Sequence, residues 1–412
     1  MSAGIPHPQV LRGLQLKQIG RFADAATAFK EALAQEPNDA FALHQLAGCQ
    51  WRVEELRNEA LQTIDQAISL EPNEAEHHVL RGFILCALER PKEALDATRL
   101  ALGLDPNDSY AHTAEAQAYL QMEKWSLAEQ SARQALTLDA DNSGAANQLA
   151  QALRLQNKQA ENAAHLAGML ARDPEDAFTH ANAGWSALQR GAHREAEVHF
   201  REALRLDPGF DYAREGLLTS FRARSPLYRA YLKYTFAMAR LNRGARWAVV
   251  IGLYFASRVA PYLPYGYVLV TIYLLFVLWV WVARPVGNAM LLFDRFARYA
   301  LRLPEKIEAA VVSSCLVAGF TGLVLHLAFH WNLAMLFGIA AIAIAFPLSL
   351  VFTNASRLGR WIFGSIAAGA ALVILYSLFP GTYLSADLFV GACIACAAST
   401  WLGNIRALNK RG

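Results

Sequence analysis

Two cysteines and two histidines in the second half of the sequence have spacings that could support chemistry. Cys393 and Cys396 form a CxxC pair, a spacing found at redox and metal sites of soluble proteins. His326 and His330 are four residues apart, and paired histidines can hold haem or a metal ion. However, the cysteines lie in an apolar segment without a second pair or a nearby histidine in sequence. No carboxylate is close to the histidines. We therefore interpret the cysteines as packing residues and the histidines as interfacial residues.

Three histidines in the first half follow a regular spacing. His78, His112 and His180 each lie six residues after a recurring acid-rich turn. Equivalent atoms of neighbouring helices are roughly 10 Å apart, whereas metal–ligand bonds are about 2 Å, so these residues do not share an ion. The sequence also lacks a phosphate-binding loop, a nucleophile elbow, an HExxH motif and a kinase signature. It therefore predicts no catalytic residue, no metal site and no cofactor, and it favours a protein that is not an enzyme.

The elements that position these residues repeat along the first 210 residues. The recurring turns have markers at Pro37, Pro72, Pro106, Ala140, Pro174 and Pro208, at spacings of 35, 34, 34, 34 and 34 residues. Small residues keep the same spacing, since Ala25, Ala60, Ala94, Ala128 and Ala196 lie twelve positions before a marker, with Asn162 as the exception. Small residues let two helices approach closely, and Pro after an acidic residue ends one helix and begins a turn.

This pattern resembles the tetratricopeptide repeat family, whose unit is a helix–turn–helix of 34 residues. The resemblance covers about residues 6–210 as six repeats, and segments 20–39 and 191–210 resemble the family's second helix closely. It implies an all-α solenoid with a concave groove over residues 6–223. In this layout residues 211–223 form a capping helix with a polar outer face. We place the one extra residue between Pro37 and Pro72 before Gly48.

The resemblance also predicts a binding surface for a protein or peptide partner. In the family the first helix of each repeat lines the groove, and aromatic residues and Arg are common anchors in protein interfaces. The groove residues predicted in this way are Phe83, Tyr110, Gln117, Asn147, Gln151, Arg154, Phe178, Asn182, Trp185 and Gln189.

The second half of the chain is apolar and basic. Residues 1–224 contain 22 Lys and Arg against 31 Asp and Glu, whereas residues 225–412 contain 16 against 4. The apolar segments are each close to the roughly 20 residues that span a bilayer, and a backbone in lipid must be helical. They lie at about 247–263, 265–283, 309–329, 332–352, 361–380 and 383–403. The sequence thus predicts a six-helix transmembrane bundle over 247–403, with a first hairpin that either spans or is re-entrant, and a basic tail at 404–412.

The loops between these segments alternate between basic ones and ones without Lys or Arg. The positive-inside rule then places both termini and the repeats in the cytoplasm, at the inner membrane of a bacterial-type cell. The start of the sequence has no apolar core of the signal-peptide kind. We expect one amphipathic surface helix at 284–306. We expect a second, basic one at 224–246, with Arg229, Lys233, Arg240, Arg243 and Arg246 at the membrane surface.

Two functions remain open from the sequence. The first is a membrane-tethered interaction scaffold that captures a partner segment in the repeat groove at the cytoplasmic face. The second is a transporter or lipid-acting membrane protein whose repeats form a regulatory or assembly platform, because six spans exceed what an anchor needs. The expected partners are a protein or peptide and the lipid bilayer, with homo-oligomerisation through the bundle left open. The acidic first half offers no surface for nucleic acid.

Overall fold

The computed structural model describes residues 7–295, 297–354, 356–377, 391–396 and 398–399, and their regular elements are helices. The chain divides into two compact units. The first comprises Met1–Ser186, Arg205–Asp207 and Ala239–Gly244, and the second comprises Ala187–Leu204, Pro208–Met238 and Ala245–Gly412.

Helices follow one another in pairs along the first half of the chain, as the repeat predicts. The first helices of the pairs are α1 (Pro8–Gln18), α3 (Ala40–Arg52), α5 (Ala75–Ala87), α7 (Ser109–Gln121), α9 (Ser143–Leu155) and α11 (Ala177–Arg190). The second helices are α2 (Phe22–Leu33), α4 (Arg57–Leu70), α6 (Pro91–Leu104), α8 (Trp125–Leu138), α10 (Gln159–Arg172) and α12 (His193–Leu206). From α1 to α10 each helix packs on the next, and α5, α7 and α9 also contact one another in turn, which is the stacking of a helical solenoid.

Complementary side-chain sizes hold each pair together. The predicted small residues of the second helices, from Ala25 to Ala196, are fully buried. In the first pair, Phe29 of α2 faces a glycine of α1. A Cβ atom on Gly13 would lie 2.7 Å from the ring of Phe29. The exception in the repeat pattern, Asn162, is also buried, and its amide donates to Ser186 Oγ at 3.2 Å.

Backbone conformation at the turns repeats with the same period. Gly20, Glu89, Glu123, Asn157 and Gly191, in the turns within the pairs, have positive φ values of 57–83°. Such values are uncommon for residues other than Gly, and they reverse the chain in a few residues. The turns between pairs end on side-chain N-caps, because Asp39, Asp108 and Asn142 each accept a hydrogen bond from a backbone N–H of the helix that follows.

The position predicted for the extra residue is wrong. Helices α3 and α5 both contain 13 residues and both begin three residues after their markers, Pro37 and Pro72. The extra residue instead lies within the second pair, where a 3₁₀ turn at Glu54–Leu56 precedes α4. Ala47 rather than Gly48 is therefore the equivalent of Gly82, and Ala47 is fully buried. The spacing between Pro37 and Pro72 shows that this repeat contains one more residue, but it does not show where in the repeat that residue lies.

The second unit continues with α13 (Asp211–Arg222), α14 (Pro226–Arg240), α15 (Arg243–Val259), α16 (Gly266–Leu292), α17 (Ala297–Ala300), α18 (Leu303–Phe329), α19 (Asn332–Thr353) and α20 (Arg357–Ser377). The polar outer face predicted for α13 is wrong. Eight residues of this helix are buried, including Leu218, Phe221 and Arg222. The reason is that α13 packs against α16 and α17, so its outer side is covered by protein rather than by water.

Among the residues that the structure describes, three helices are long and apolar enough to cross a membrane: Gly266–Leu292, Leu303–Phe329 and Asn332–Phe352. Among the other predicted spans, 247–263 coincides with α15 and a 3₁₀ turn at Ala260–Tyr262, and 361–380 coincides largely with α20. The span predicted at 383–403 lies mostly outside the described residues, which include only 391–396 and 398–399 of it. The structure thus contains three of the six predicted spans as helices of clear spanning length.

The surface helix predicted at 284–306 is wrong. Helix α16 continues through Pro285 to Leu292, and α18 begins at Leu303, so only the four-residue α17 lies between them. Residues Asn288 and Leu291 are buried, which explains why the helix continues. Helix α18 also includes Glu305 and Glu308. Its 27 residues are about 40 Å long, more than the roughly 30 Å of a hydrocarbon core.

The pairing of α18 with α19 rests on direct backbone approach. The turn between them is made by His330, which has a φ of 53°. A Cβ atom on Gly322 would lie 2.5 Å from the Ala334 carbonyl oxygen, and one on Gly338 would lie 2.7 Å from the Gly319 carbonyl oxygen. Small residues at such crossings allow helices to pack closely in lipid.

The substitution Gly216→Ala should destabilise the second unit. A Cβ atom at this position of α13 would lie 2.2 Å from the Phe200 ring, so the ring or the helix must shift. Overpacking of this kind typically costs about 1–3 kcal/mol. We expect a lower Tm for the full-length variant in detergent. The matched control is Gly103→Ala in α6, where no atom lies within 4 Å of the new Cβ and the helix should gain about 0.5–1 kcal/mol. Equal Tm values for the two variants would contradict the close contact.

Candidate functional site

The predicted groove residues all lie on first helices of the repeats, in α5, α7, α9 and α11. Nine of them belong to the first unit, and Gln189 belongs to the second. Their exposure differs. Tyr110 and Phe178 are 58% and 43% exposed, whereas Asn147 and Asn182 are buried. Half-buried positions are occupied by Phe83, Gln117, Gln151, Arg154, Trp185 and Gln189.

The two predicted asparagines form a contact between neighbouring repeats. The Asn182 amide donates to Asn147 Oδ1 at 2.8 Å, and the Asn147 amide donates to the Ser143 carbonyl at 3.0 Å. Asp176 extends this chain, because its carboxylate accepts from the Asn147 amide at 3.5 Å and from Thr179 Oγ1 at 2.5 Å. Buried amides need such partners. These two residues therefore connect α9 to α11.

One aromatic cluster on the first helices was missed by the sequence reasoning. Trp51, at the end of α3, stacks on Phe83 of α5 with ring centroids 5.6 Å apart. The Arg52 guanidinium lies 4.6 Å from the Trp51 ring centroid, within the range of a cation–π contact. The signal in the sequence was an aromatic residue followed directly by Arg at the end of a first helix.

Exposed aromatic residues also recur at one position of the first helices. Phe41, Tyr110 and Phe178 are each the second residue of their helix, in α3, α7 and α11, and Phe41 is 52% exposed. Equivalent positions of a solenoid lie in a row along it. The same position in the intervening helices is occupied by Glu76 and Gly144. Phe41 was missed, although its distance from the preceding turn marker matches that of the other two.

The periodic histidines have a local structural role. His78, His112 and His180 each place Nε2 near the carbonyl oxygen of the proline six residues earlier, at 2.9, 3.3 and 3.1 Å. Since a carbonyl only accepts, the ring N–H donates in each case. The three residues therefore fix the turns between pairs.

A different histidine pair connects α3 and α5. His44 Nδ1 and His77 Nδ1 are 3.0 Å apart, so one ring must donate to the other. Burial, with the nearby His77 and Lys17, lowers the pKa of His44 to about 4. Burial raises the pKa of the Cys86 thiol to about 12 and that of Cys49 above its usual value, which leaves both thiols protonated.

The residues predicted for the membrane surface lie on α14 and at the start of α15. Lys233 is exposed, and Arg229, Arg240 and Arg246 are half-buried, while Arg243 begins α15. The buried face of α14 is formed by Tyr228 and Leu232. Tyr234 meets the edge of the Phe276 ring of α16, with centroids 5.1 Å apart. Helix α14 is thus partly covered by α16.

An ionic network joins α12 and α13 to the ends of the apolar helices within the second unit. Arg214 donates to Glu305 Oε2 at 3.0 Å, and Arg302 pairs with Asp211. The hydrogen bond from Arg302 holds the pKa of Asp211 below its usual value. Arg224 bridges two carboxylates, Glu197 of α12 at 3.0 Å and Asp294 of the α16–α17 turn at 2.9 Å.

The centre of this network is buried. The Arg222 side chain of α13 donates to Asn288 Oδ1 of α16 at 2.9 Å and to Glu215 Oε1 at 3.0 Å. Asn288 is fully buried and Arg222 is 3% exposed. Arg222 contacts a residue 66 positions away in the chain, so no local sequence pattern indicated it.

Acid should weaken the folded state through the His44–His77 pair. Because the pKa of His44 is about 4 in the folded protein and near 6.5 when unfolded, the unfolded state binds more protons between these values. Stability should therefore fall as the pH decreases from 7 towards 4, by up to about 3 kcal/mol. Urea unfolding of the full-length protein at several pH values would measure this. The variant His44→Gln should have a flatter pH dependence, with His165→Gln as control. The same slope in all three proteins would rule out the pair as the cause.

Comparison with known proteins identifies the repeats. The tetratricopeptide repeat family model matches residues 113–177. No curated protein matches the chain. Among solved structures, a tetratricopeptide repeat protein of the bacterium Thermus thermophilus is 22% identical. It has a TM-score of 0.35, with 52% of this chain and 96% of that one covered.

Two further solved structures are similar at the same level. PilW, a type IV pilus biogenesis factor, is 19% identical with a TM-score of 0.43, and the alignment covers 51% of this chain and 96% of that one. PilF of Pseudomonas aeruginosa is 20% identical with a TM-score of 0.40, covering 50% and 94%. The family match over residues 113–177, within an array of helix pairs that keeps one period, supports the tetratricopeptide repeat family for the N-terminal repeats.

Proposed function

We propose that the protein is a membrane-tethered scaffold that captures a partner segment on the first-helix surface of its repeats. Exposed aromatic residues at equivalent positions carry this proposal. Tyr110 and Phe178 are 58% and 43% exposed, and aromatic side chains supply much of the binding energy in protein interfaces. Trp185, half-buried on α11, and the stacked pair of Trp51 and Phe83 add further apolar area. No catalytic role is assigned to any residue.

The tether is proposed to be a multi-pass bundle in a bacterial inner membrane, with both termini and the repeats in the cytoplasm. Three apolar helices of spanning length and the alternation of basic loops with loops that lack Lys and Arg support this arrangement. The six-span count and homo-oligomerisation through the bundle are part of the proposal. The ionic network around Arg222 supports a direct tether, because it makes α13 part of the same unit as the apolar helices.

A groove between α16 and α18 favours the second candidate function, in which the bundle itself acts on lipid. The groove has a volume of about 700 Å³. Two of its lining residues, Ser313 and Thr321, are polar. Its other ten lining residues are apolar, among them Trp279, Leu316 and Phe320. Such a surface suits an acyl chain better than a polar solute.

The substitutions Tyr110→Ala and Trp185→Ala together should weaken partner capture by the full-length protein in detergent. Removal of an interface anchor typically costs about 2 kcal/mol or more, so we expect at least a tenfold loss in recovered partner. Quantitative mass spectrometry of the captured proteins would measure it. The matched control is Leu100→Ala with Leu127→Ala, which removes two exposed apolar side chains from second helices. Equal losses in both double variants, or no loss in either, would contradict the proposed surface.

Single cysteines should report the topology of the first hairpin. Tyr262 and Phe293 are 89% and 91% exposed and lie at opposite ends of α16. In spheroplasts, a membrane-impermeant maleimide should label Tyr262→Cys directly and Phe293→Cys only after permeabilisation. The wild-type protein measures background labelling of its own cysteines. Tyr262→Cys that is labelled only after permeabilisation would show that the hairpin is re-entrant or that the orientation is reversed.

A further inference from the structure

We propose that the captured partner segment is cationic and extended, and that it binds along the turn rim of the repeats. The turn rim consists of residues 36–45, 71–80, 105–114, 139–148 and 173–182, which are the turns between pairs and the first helical turns that follow them. This inference rests on the proposed scaffold function and specifies the chemistry of its partner.

The apolar part of the rim is the row of Phe41, Tyr110 and Phe178. Each is exposed, and each is the second residue of its helix. None belongs to the buried core of the repeats, whose large side chains are residues such as Phe29 and Ile64. A row of aromatic faces offers stacking and cation–π contacts to Arg or Lys of a partner.

The charge of the rim selects a basic partner. Its fifty residues contain twelve Asp and Glu and no Lys or Arg. The acidic residues are Glu36, Asp39, Glu71, Glu74, Glu76, Asp105, Asp108, Asp139, Asp141, Asp173, Glu175 and Asp176. Within the described chain, the one ion pair that any of them makes is between Glu71 and His77, at 3.5 Å. By contrast, the exposed acidic residues of the second helices, such as Asp65 and Glu161, pair with Arg.

Carboxylates lie close in sequence to the aromatic residues of the row. Tyr110 follows Asp108 by two residues and Phe178 follows Asp176 by two, while α5, which lies between the helices of Phe41 and Tyr110, presents Glu76 at the equivalent position. A guanidinium that stacks on either ring would therefore also lie near a carboxylate. The uncompensated negative charge additionally favours the approach of a cationic segment and disfavours an acidic one.

The spacing of the row sets the residue interval that an extended segment would need. Neighbouring repeats place equivalent atoms roughly 10 Å apart, so two repeats correspond to roughly 20 Å. An extended chain rises about 3.3 Å per residue, so about six residues connect one aromatic position to the next. A helical partner would need about thirteen residues for the same distance. The inferred partner therefore carries Arg or Lys beside an apolar residue at intervals of about six residues.

Peptide binding to the full-length protein in zwitterionic lipid nanodiscs tests the inference. The probe is a labelled 18-residue peptide of three Arg-Leu-Gly-Ser-Gly-Ser units, compared by fluorescence anisotropy with versions that carry Gln or Glu in place of Arg. We expect the Arg peptide to bind at least about tenfold more tightly than the Gln peptide, and more weakly as salt increases. The Glu peptide should not bind. Equal affinities for the Arg and Gln peptides would overturn the inference.

Variants of the rim locate the binding. Glu74→Gln, Glu76→Gln, Asp141→Asn and Glu175→Gln together remove four exposed charges that make no hydrogen bond through their side chains, so folding should be preserved. We expect about a tenfold loss of affinity for the Arg peptide. The matched control, Glu59→Gln with Asp65→Asn, Asp96→Asn and Glu161→Gln, changes the net charge equally on the second helices and should alter affinity less than about threefold.

Two patterns of results separate this inference from the scaffold function on which it rests. Equal effects of the two quadruple variants would show that total charge rather than the rim attracts the peptide, and the inference would fall. If the variant with Tyr110→Ala and Trp185→Ala still loses partner capture, the scaffold function stands even though the inference of a cationic partner segment does not. If that double variant also captures partner normally, both proposals fall.

Discussion

The buried guanidinium of Arg222 is the interaction on which the second unit depends. A buried charge costs several kcal/mol unless it is paired and hydrogen-bonded, and removal of one partner leaves that cost uncompensated. Its partners come from two separate helices, Glu215 from α13 and Asn288 from α16. Helix α13 therefore cannot leave α16 without exposing or unpairing the group. The last element of the repeat region is, for this reason, an integral part of the unit that contains the apolar helices.

The ionic network around Arg222 adds non-covalent contacts between helices that the chain already connects covalently. Arg214, Arg224 and Arg302 add ion pairs between the helices on either side of the chain segment from 226 to 284. Pairs at the surface contribute little individually, but Glu305 and Glu197 are nearly buried and each accepts from Arg, which strengthens these contacts. For a scaffold, this arrangement means that α12 and α13 do not move independently of the apolar helices.

The period of the sequence predicted the helix pairs and the buried small residues of the second helices, because these depend on contacts within one repeat or between neighbours. Other features depend on residues far apart in the chain. The burial of α13, the continuation of α16 past Pro285 and the early start of α18 all follow from contacts such as Arg222 with Asn288, which leave no periodic signal. At the candidate site, the pattern located the first helices and most of their aromatic residues. It could not show that Asn147 and Asn182 bond to each other, since that depends on side-chain geometry across two repeats.

The fold itself requires some of the acidic residues of the turn rim, but not all of them. Asp39, Asp108 and Asp176 accept hydrogen bonds from backbone N–H groups at the starts of first helices, and Asp105, Asp139 and Asp173 do so within the turns. Capping explains those six residues, and Asn or Ser would serve almost as well without the charge. It does not explain Glu74, Glu76, Asp141 and Glu175, or the absence of Lys and Arg from all fifty residues. Local folding needs therefore account for the positions of some acidic residues but not for the single sign of the charge. That sign, beside a row of exposed aromatic rings, is what a surface for a cationic segment requires.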